Sequence, residues 1–342
     1  MRAQATRRLV DKAMYLLVAD IGGTRARFRL LEPVGNGSRI RFEWSWPSAQ
    51  FDSLTTALQH CLGQLSAADR NSTKSAWLAV AGPVAGGAVQ FSNLPWKADT
   101  TSLRRQCGLA EVHLVNDLEA LAWGIPELTS TQVVELQSGN PDDGPRLVIA
   151  AGTGLGMAAL VGHGERMTAL GSEAGHCDLA PGTEREIDLL RSLQRDHPHV
   201  SYERALSGSG LAGLYDFARQ QAGSPLPADI PEGPQRPAAV TRLALGRRDP
   251  IALEAVSLFT QVLGSFTGNA ALTWLATGGV FLAGGVVAGL QQALEDGEFL
   301  RAFTAKGRMR PLLERIPVAI VTAPEPGLEG ISRLARKQQR NH

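Results

Sequence analysis

One pattern occurs twice in this chain and constrains it more than any other: an apolar strand, a tight glycine turn and a second strand. The first copy is Tyr15-Leu-Leu-Val-Ala-Asp20-Ile-Gly-Gly-Thr24-Arg-Ala-Arg-Phe-Arg-Leu-Leu31. The apolar run from Leu16 to Ala19 stops at an acid and a Gly-Gly-Thr turn. Apolar and basic residues then alternate through Ala26-Arg27-Phe28-Arg29-Leu30, as a second strand requires. Gly22 and Gly23 let backbone N–H groups approach an anion without Cβ interference, Thr24 adds a hydroxyl donor, and Asp20 can hold a hydrated cation facing phosphates. Read alone, this copy is equally an ordinary hairpin with a Gly-rich turn. The second copy is Arg146-Leu-Val-Ile-Ala-Ala151, then Gly152-Thr153-Gly154-Leu155-Gly156, then Met157-Ala-Ala-Leu-Val161. The repetition argues for two similar halves facing a shared nucleotide. In neither copy does the turn lead into a helix, and neither matches GxGxxG or GxxxxGK(S/T), so Rossmann and P-loop arrangements fail on context.

A chain of 342 residues is long enough for about two domains, each with its own core. A formal charge of +1 carries no electrostatic footprint for nucleic acid. Cys61, Cys107 and Cys177 lie far apart, so they suggest neither a disulfide framework nor a zinc site, and a cytoplasmic location fits. The stretch from Ala255 to Leu294 holds no charged residue. Its glycines at Gly264, Gly268, Gly278-Gly279 and Gly284-Gly285 cut it into pieces, so it reads as a buried helix over Ala255–Ala276 and a buried strand over Val280–Ala283 rather than a membrane span. Between the two copies the spacing predicts a third strand at Phe42–Trp46, a helix over Phe51–Leu65, a strand over Ser75–Ala81, a helix over Thr101–Cys107 and a buried strand Val112–Val115. Gly223 to Pro237 reads as a surface excursion. Hairpins and crossovers mingle, which predicts α/β domains with mixed sheets.

Several polar residues stand where chemistry would use them. Asn116-Asp117 comes directly after a strand, and an Asp there can take a proton from an attacking hydroxyl or cap the helix beginning at Leu118. Gly171-Ser-Glu173-Ala-Gly-His176-Cys-Asp178 puts a carboxylate and an imidazole in a loop of small residues, without the spacing of a strong metal motif. Glu203 lies beside a helix start, and His197-Pro-His199 reads as a solvated loop. Carboxylates, a carboxamide and an imidazole together suit a polyol, because a wrong epimer leaves a buried polar group unpaired.

Six ordered motifs resemble bacterial glucokinase: Leu17-Val-Ala-Asp-Ile-Gly-Gly-Thr24, Leu114-Val-Asn-Asp117, Ala151-Gly-Thr-Gly-Leu-Gly156, Ser172-Glu-Ala-Gly-His176, Glu203-Arg-Ala-Leu-Ser-Gly208 and Gly279-Val-Phe-Leu-Ala-Gly-Gly285. The resemblance runs from Leu16 to Leu334. It implies a two-domain, actin-like ATPase (ribonuclease H-like) fold with a mixed sheet flanked by helices in each domain, and ATP and sugar in the cleft between. The smaller domain is then residues 14–127 with 320–342, the larger 128–319, and residues 1–13 a disordered tail. The implied activity is ATP-dependent phosphorylation of the glucose 6-hydroxyl. Asp117 is similar to the family's catalytic base, and Asn93, Asn116, Glu173, His176 and Glu203 to its sugar-binding residues. Gly22, Gly23, Thr24, Gly152, Thr153 and Gly154 match the phosphate turns, Gly284-Gly285 the turn near adenosine, and Asp20 the acid that holds Mg2+ through water. A homodimer is implied, with no membrane or nucleic-acid partner. Another hexose or N-acetylhexosamine kinase of the same fold, or a sugar-sensing regulator, is the alternative; the first of these usually carries a Cys-rich zinc motif that Cys177 alone does not supply. Two positions depart from the family pattern: Arg25 stands where Asn is common, and Ala174 where Gly is usual.

Overall fold

The computed structural model describes residues 14–35, 37–227, 230–246 and 248–340, so the tail expected over residues 1–13 lies outside the described residues. The chain divides into two compact units, with breaks after Gly124 and after Pro326.

The first unit opens with β1 (Tyr15–Ile21), β2 (Arg25–Val34) and β3 (Gly37–Pro47), followed by α1 (Leu54–Gly63) and α2 (Ala67–Ser72). Next come β4 (Thr73–Val80), the short β5 (Val84–Ala85), β6 (Ala88–Gln90) and β7 (Lys97–Asp99), then α3 (Thr100–Cys107), β8 (Glu111–Asn116) and α4 (Asp117–Gly124). The main sheet runs β3-β2-β1-β4-β8, antiparallel among the first three strands and parallel from β1 through β4 to β8. Leu16 to Ala19 are all buried, as a central strand covered on both faces demands. The helix expected from Phe51 starts at Leu54, because Ser53 and Thr56 form a capping box that satisfies two orphan donors there. Leu54, Leu58 and Leu62 of α1 then bury into a core that includes Leu17, Phe28 and Leu78.

The second unit contains β9 (Val133–Gln137), β10 (Arg146–Ala151), β11 (Leu155–Val161) and β12 (Thr168–Ser172), then α5 (Glu184–Leu193), α6 (Gly208–Gln221), α7 (Arg236–Thr241) and α8 (Pro250–Trp274). It continues with β13 (Gly279–Ala283), α9 (Gly285–Gly289), α10 (Gln291–Glu295), α11 (Glu298–Thr304), α12 (Arg310–Leu313) and β14 (Val318–Val321). Its sheet order is β12-β11-β10-β13-β14-β9. The antiparallel β12, β11 and β10 are followed by parallel β13 and β14, so the plan of the first unit recurs, with β9 added antiparallel to β14. The repeat seen in sequence is thus a repeat of topology. α8 is long and apolar enough to cross a membrane by length and composition, yet 67% of that apolar window is buried inside the protein. Phe259, Val262 and Phe266 join one core with Phe299 and Phe303 of α11. Asp249 caps the helix ahead of Pro250, and Leu275 in the left-handed region ends it.

The chain then returns to the first unit through α13 (Pro326–Arg340). Arg29 of β2 ties this helix down, reaching Glu43 of β3 and Glu329 of α13 at 2.7 Å each. Burial pulls the Arg29 guanidinium down, but its bonds to Glu329 and Glu43 outweigh that and raise its pKa. The break expected at residue 320 would cut β14, whose Ile320 and Val321 pair with Val134 and Val133, so the division falls at Pro326 instead.

Candidate active site

In the first unit three parallel strands end level. Ile21, Val80 and Asn116 are register partners across β1, β4 and β8, so the loops leaving these strands emerge at one edge of the sheet, where α/β folds place their chemistry. The Gly22-Gly23-Thr24 turn closes with the Gly22 N–H donating to the Arg25 carbonyl at 2.9 Å. Ser48 braces it from behind: its hydroxyl donates to the Gly22 carbonyl at 2.7 Å, and its N–H to the Thr24 carbonyl at 2.9 Å. Gly23, Thr24 and Arg25 are exposed. Arg25 turns toward β3, its Nη1 at 3.4 Å from the Ser45 Oγ. Asn93 stands over the turn, since a methyl group on Gly23 would meet its Cβ at 3.1 Å. The loop carrying Asn93 is closed by the Phe91 N–H on the Trp96 carbonyl at 3.1 Å.

The Asp20 carboxylate lies 3.7 Å from Arg27 Nη1. It also abuts Gly327 in the first turn of α13, where a methyl group would meet Oδ2 at 3.3 Å, and a helix N-terminus favours negative charge. Among the described residues no cluster of three or more His, Cys, Asp or Glu side chains could hold a metal ion. A single carboxylate suits Mg2+, which keeps several waters and takes its other ligands from substrate phosphates.

Asn116 and Asp117 divide their work differently from the helix cap expected of Asp117. The Asn116 Oδ1 accepts the N–H groups of Leu118 and Glu119 at 3.0 and 3.3 Å, while its Nδ2 donates to the Gly82 carbonyl at 3.1 Å. Asn116 is therefore the cap of α4, and Asp117 is the first residue of the helix, its Oδ1 accepting the adjoining Leu118 N–H at 2.9 Å.

The second unit gathers the remaining candidates. The Gly152-Thr153-Gly154 turn joins β10 to β11, with the Gly152 N–H on the Gly154 carbonyl at 2.9 Å. Glu203 is beside it: its Oε2 accepts the Leu155 N–H at 2.9 Å. Glu173 comes directly after β12, whose Ser172 is the register partner of Met157 on β11. Residues 177–179 pair with 200–202 through Leu179 N–H on Val200 O and Tyr202 N–H on Cys177 O, at 2.9 and 3.0 Å, which brings the Glu173 and His176 loop alongside Glu203. Glu173 and His176 stand 3.8 Å apart, both mostly exposed. Asp178 instead meets His199 at 3.0 Å, so the loop expected at His197–His199 is solvent-facing but tied to that acid. Ala174 has no left-handed backbone, so its methyl group replaces the usual glycine without strain. Gly284 follows β13 at φ +97°, with the Ala151 carbonyl where a side chain would go, and Gly285 begins α9.

A cavity of about 1170 Å³ opens from this second turn, lined among others by Thr153, Gly208, Asp216, Arg236 and Gly285. Gly208 is fixed to the turn by its N–H on the Gly152 carbonyl at 2.8 Å. The expected surface excursion ends in this wall, since Gly233, Pro234 and Pro237 line it. Sequence reasoning did not find Ser48, Asp216 or Arg236. For α6 the signal was present in Ser207-Gly-Ser-Gly210, a capping serine followed by small residues, and the Ser207 hydroxyl does accept the Gly210 N–H at 3.0 Å.

Solved structures of similar fold include sugar kinases. A glucokinase from an Antarctic psychrotroph matches with a TM-score of 0.78 and 34% identity, covering 94% of this chain and 98% of its own. A glucokinase of the ROK family from Streptomyces griseus, solved in complex with glucose and AMPPNP, shares the fold at a TM-score of 0.62 and 19% identity, covering 94% of this chain and 99% of its own. A two-unit, actin-like fold that is also 34% identical to a glucokinase over 94% of this chain makes it a sugar kinase, a phosphotransferase acting on an alcohol group. The glucokinase family model matches residues 17–338. The glucokinase of Marinobacter nauticus is 38% identical over 317 residues, 92% of this chain and 95% of the relative. The chain belongs to the glucokinase family.

Proposed function

We propose that the chain transfers the γ-phosphoryl group of ATP to the 6-hydroxyl of glucose, giving glucose 6-phosphate and ADP, in the cytoplasm and as the entry step of glycolysis. The observation that carries this reading is the position of Asp117 at the carboxyl end of β8, one residue past the register partner of Val80 and Ile21 and so on the same sheet edge as the Gly22–Thr24 turn. Family membership and the same-fold relative holding glucose and AMPPNP support the substrates.

Asp117 takes the proton of the 6-hydroxyl as that oxygen attacks phosphorus. Asn93, Asn116, Glu173, His176 and Glu203 hold the other hydroxyls and so select the epimer. Gly22, Gly23 and Thr24, with Gly152, Thr153 and Gly154, offer N–H and hydroxyl donors to the phosphates, and Gly284-Gly285 lies beside the adenosine. When bound, Mg2+ neutralises charge on the phosphates, and Asp20 is the residue that would hold it through water. Phosphoryl transfer asks little covalent chemistry of a protein, so alignment and exclusion of water are the main contributions of these residues.

The test is ADP release from MgATP with a panel of hexoses, with Asp117→Ala as the control. Glucose is expected to be the preferred acceptor. A preference for fructose or an N-acetylated sugar would replace this assignment with another kinase of the fold, and absence of any turnover would favour a sugar-sensing regulator. Light scattering on the purified chain tests the homodimer that belongs to the same reading.

A further inference from the structure

The cavity of the second unit contains a charged pair that no part of the reaction above uses. Asp216 and Arg236 both line it, and the Asp216 Oδ1 accepts from Arg236 Nη2 at 2.5 Å and from Arg219 Nη2 at 3.5 Å. Arg219 is held in turn by the Ser224 carbonyl, which accepts its Nη1 at 2.8 Å. The Nε atoms of Arg219 and Arg236 are buried with no hydrogen-bond partner. Two guanidinium groups therefore fix this carboxylate by one oxygen, on the wall of a cavity rather than on open surface.

α6 sets its distance from the phosphate turn. Gly208, at the start of the helix, is bonded to the Gly152 carbonyl at 2.8 Å. Asp216 comes two helical turns later, about 12 Å along the axis at the rise of an α-helix. A nucleotide with its phosphates at Gly152–Gly154 and its nucleoside running along α6 brings its sugar and base to this pair. Elsewhere the wall mixes the apolar surface of Gly213, Pro234, Pro237 and Val286 with the polar side chains of Thr153, Ser209, Thr241 and Arg242, none of which is a carboxylate; the Thr241 hydroxyl already donates to the Pro237 carbonyl at 3.1 Å. A fixed carboxylate, by contrast, is a strong acceptor for ribose hydroxyls.

We propose that Asp216, held in place by Arg236 in the cavity beside the second glycine turn, selects the ribose of the nucleotide. This rests on the reading of the second turn as a phosphate site, and it adds a specificity residue. Gly213 supplies an independent handle. A Cβ built there meets no atom within 4 Å beyond its own helix turn, and Gly213 lines the cavity, so a larger residue extends into that space.

The experiment is calorimetric binding of ADP, 2′-deoxyADP and GDP to the full chain, which does not depend on turnover. The unmodified protein is expected to prefer ADP over 2′-deoxyADP by about tenfold or more, as one hydrogen bond to a charged group gives. Asp216→Asn and Asp216→Ala should both shrink the ribose preference toward unity with glucose affinity unchanged; losing the partner of two guanidinium groups should also lower the melting temperature, an effect common to ADP and 2′-deoxyADP that leaves their ratio as the readout. Gly213→Val should weaken all three nucleotides together, at unchanged melting temperature. An unmodified protein that treats ADP and 2′-deoxyADP alike, or Asp216 variants that keep the full preference, would overturn the inference. A chain that shows the ribose preference yet phosphorylates no hexose would leave the inference standing and remove the proposed function instead.

Discussion

The Glu203 carboxylate accepts the backbone N–H of Leu155 at 2.9 Å, so an acid expected on the sugar is also the strut of a turn expected on the phosphates. Glu203→Ala should therefore raise KM for glucose and for ATP together. A hydrogen bond to a charged group is worth about 1.5–3 kcal/mol, or about ten- to 150-fold. Glu173→Ala, whose carboxylate meets His176 rather than the turn, should raise KM for glucose alone. Steady-state kinetics with each substrate varied separates the two, and a Glu203→Ala protein with an unchanged KM for ATP would refute the strut.

Asp117→Asn is expected to lower kcat by about a hundredfold or more, the loss typical of a general base, and to leave glucose affinity within about tenfold. Because Asn116 caps α4, the same variant should melt within a few degrees of the parent. Near-normal turnover would take Asp117 out of the role, and a collapse in melting temperature would assign it to the helix instead.

The Ser48 hydroxyl is buried, and its bond to the Gly22 carbonyl at 2.7 Å is the brace of the first turn. Ser48→Ala should cost about 1 kcal/mol of stability, read by denaturant titration. It should also raise KM for ATP severalfold without touching glucose affinity. An unchanged KM for ATP would mean that the turn keeps its shape without the brace.

Thiol chemistry should divide the three cysteines. Cys177 is exposed and adjoins His176, whereas Cys61 and Cys107 are buried in the first unit. Burial raises the Cys61 thiol and pushes Cys107 up to about 11, so at pH 8 roughly a thousandth of Cys107 would be thiolate even with access. A coloured disulfide reagent is expected to titrate one thiol per native chain quickly and three after unfolding, and raising the pH to 9 should not recruit the other two. Glucose should slow the fast one, and a rate indifferent to glucose would separate Cys177 from the sugar loop.

The parts of this structure legible in sequence are those written locally. Both glycine turns, the strand ending at Asn116 and the buried helix over Ala255–Ala276 carry their signal in adjacent residues and in periodicity. What escaped is set by contacts between distant residues. Ser48 reaches Gly22 across β2 and β3, Glu203 reaches Leu155 across β12 and α5, and Asp216 meets Arg236 across a stretch rich in Gly and Pro. The cap of α4 was placed one residue late, because Asn116 and Asp117 are both good capping residues and only the backbone geometry separates them. The later domain break went astray because Val318–Val321 is apolar enough for either sheet, and pairing with β9 assigns it to the second unit.

The path of the chain has a consequence for its synthesis. The second unit is one continuous run, but the first is begun at β1 and completed only by α13. Until a ribosome has made residues 327–340, Arg29 lacks Glu329 and Asp20 lacks the helix turn at Gly327. The nascent first unit therefore waits, unfinished, while the whole of the second is translated, and it is completed only when α13 emerges. Stalled or C-terminally clipped chains would hold a complete second unit and an incomplete first one, and they should be the species that chaperones and proteases meet.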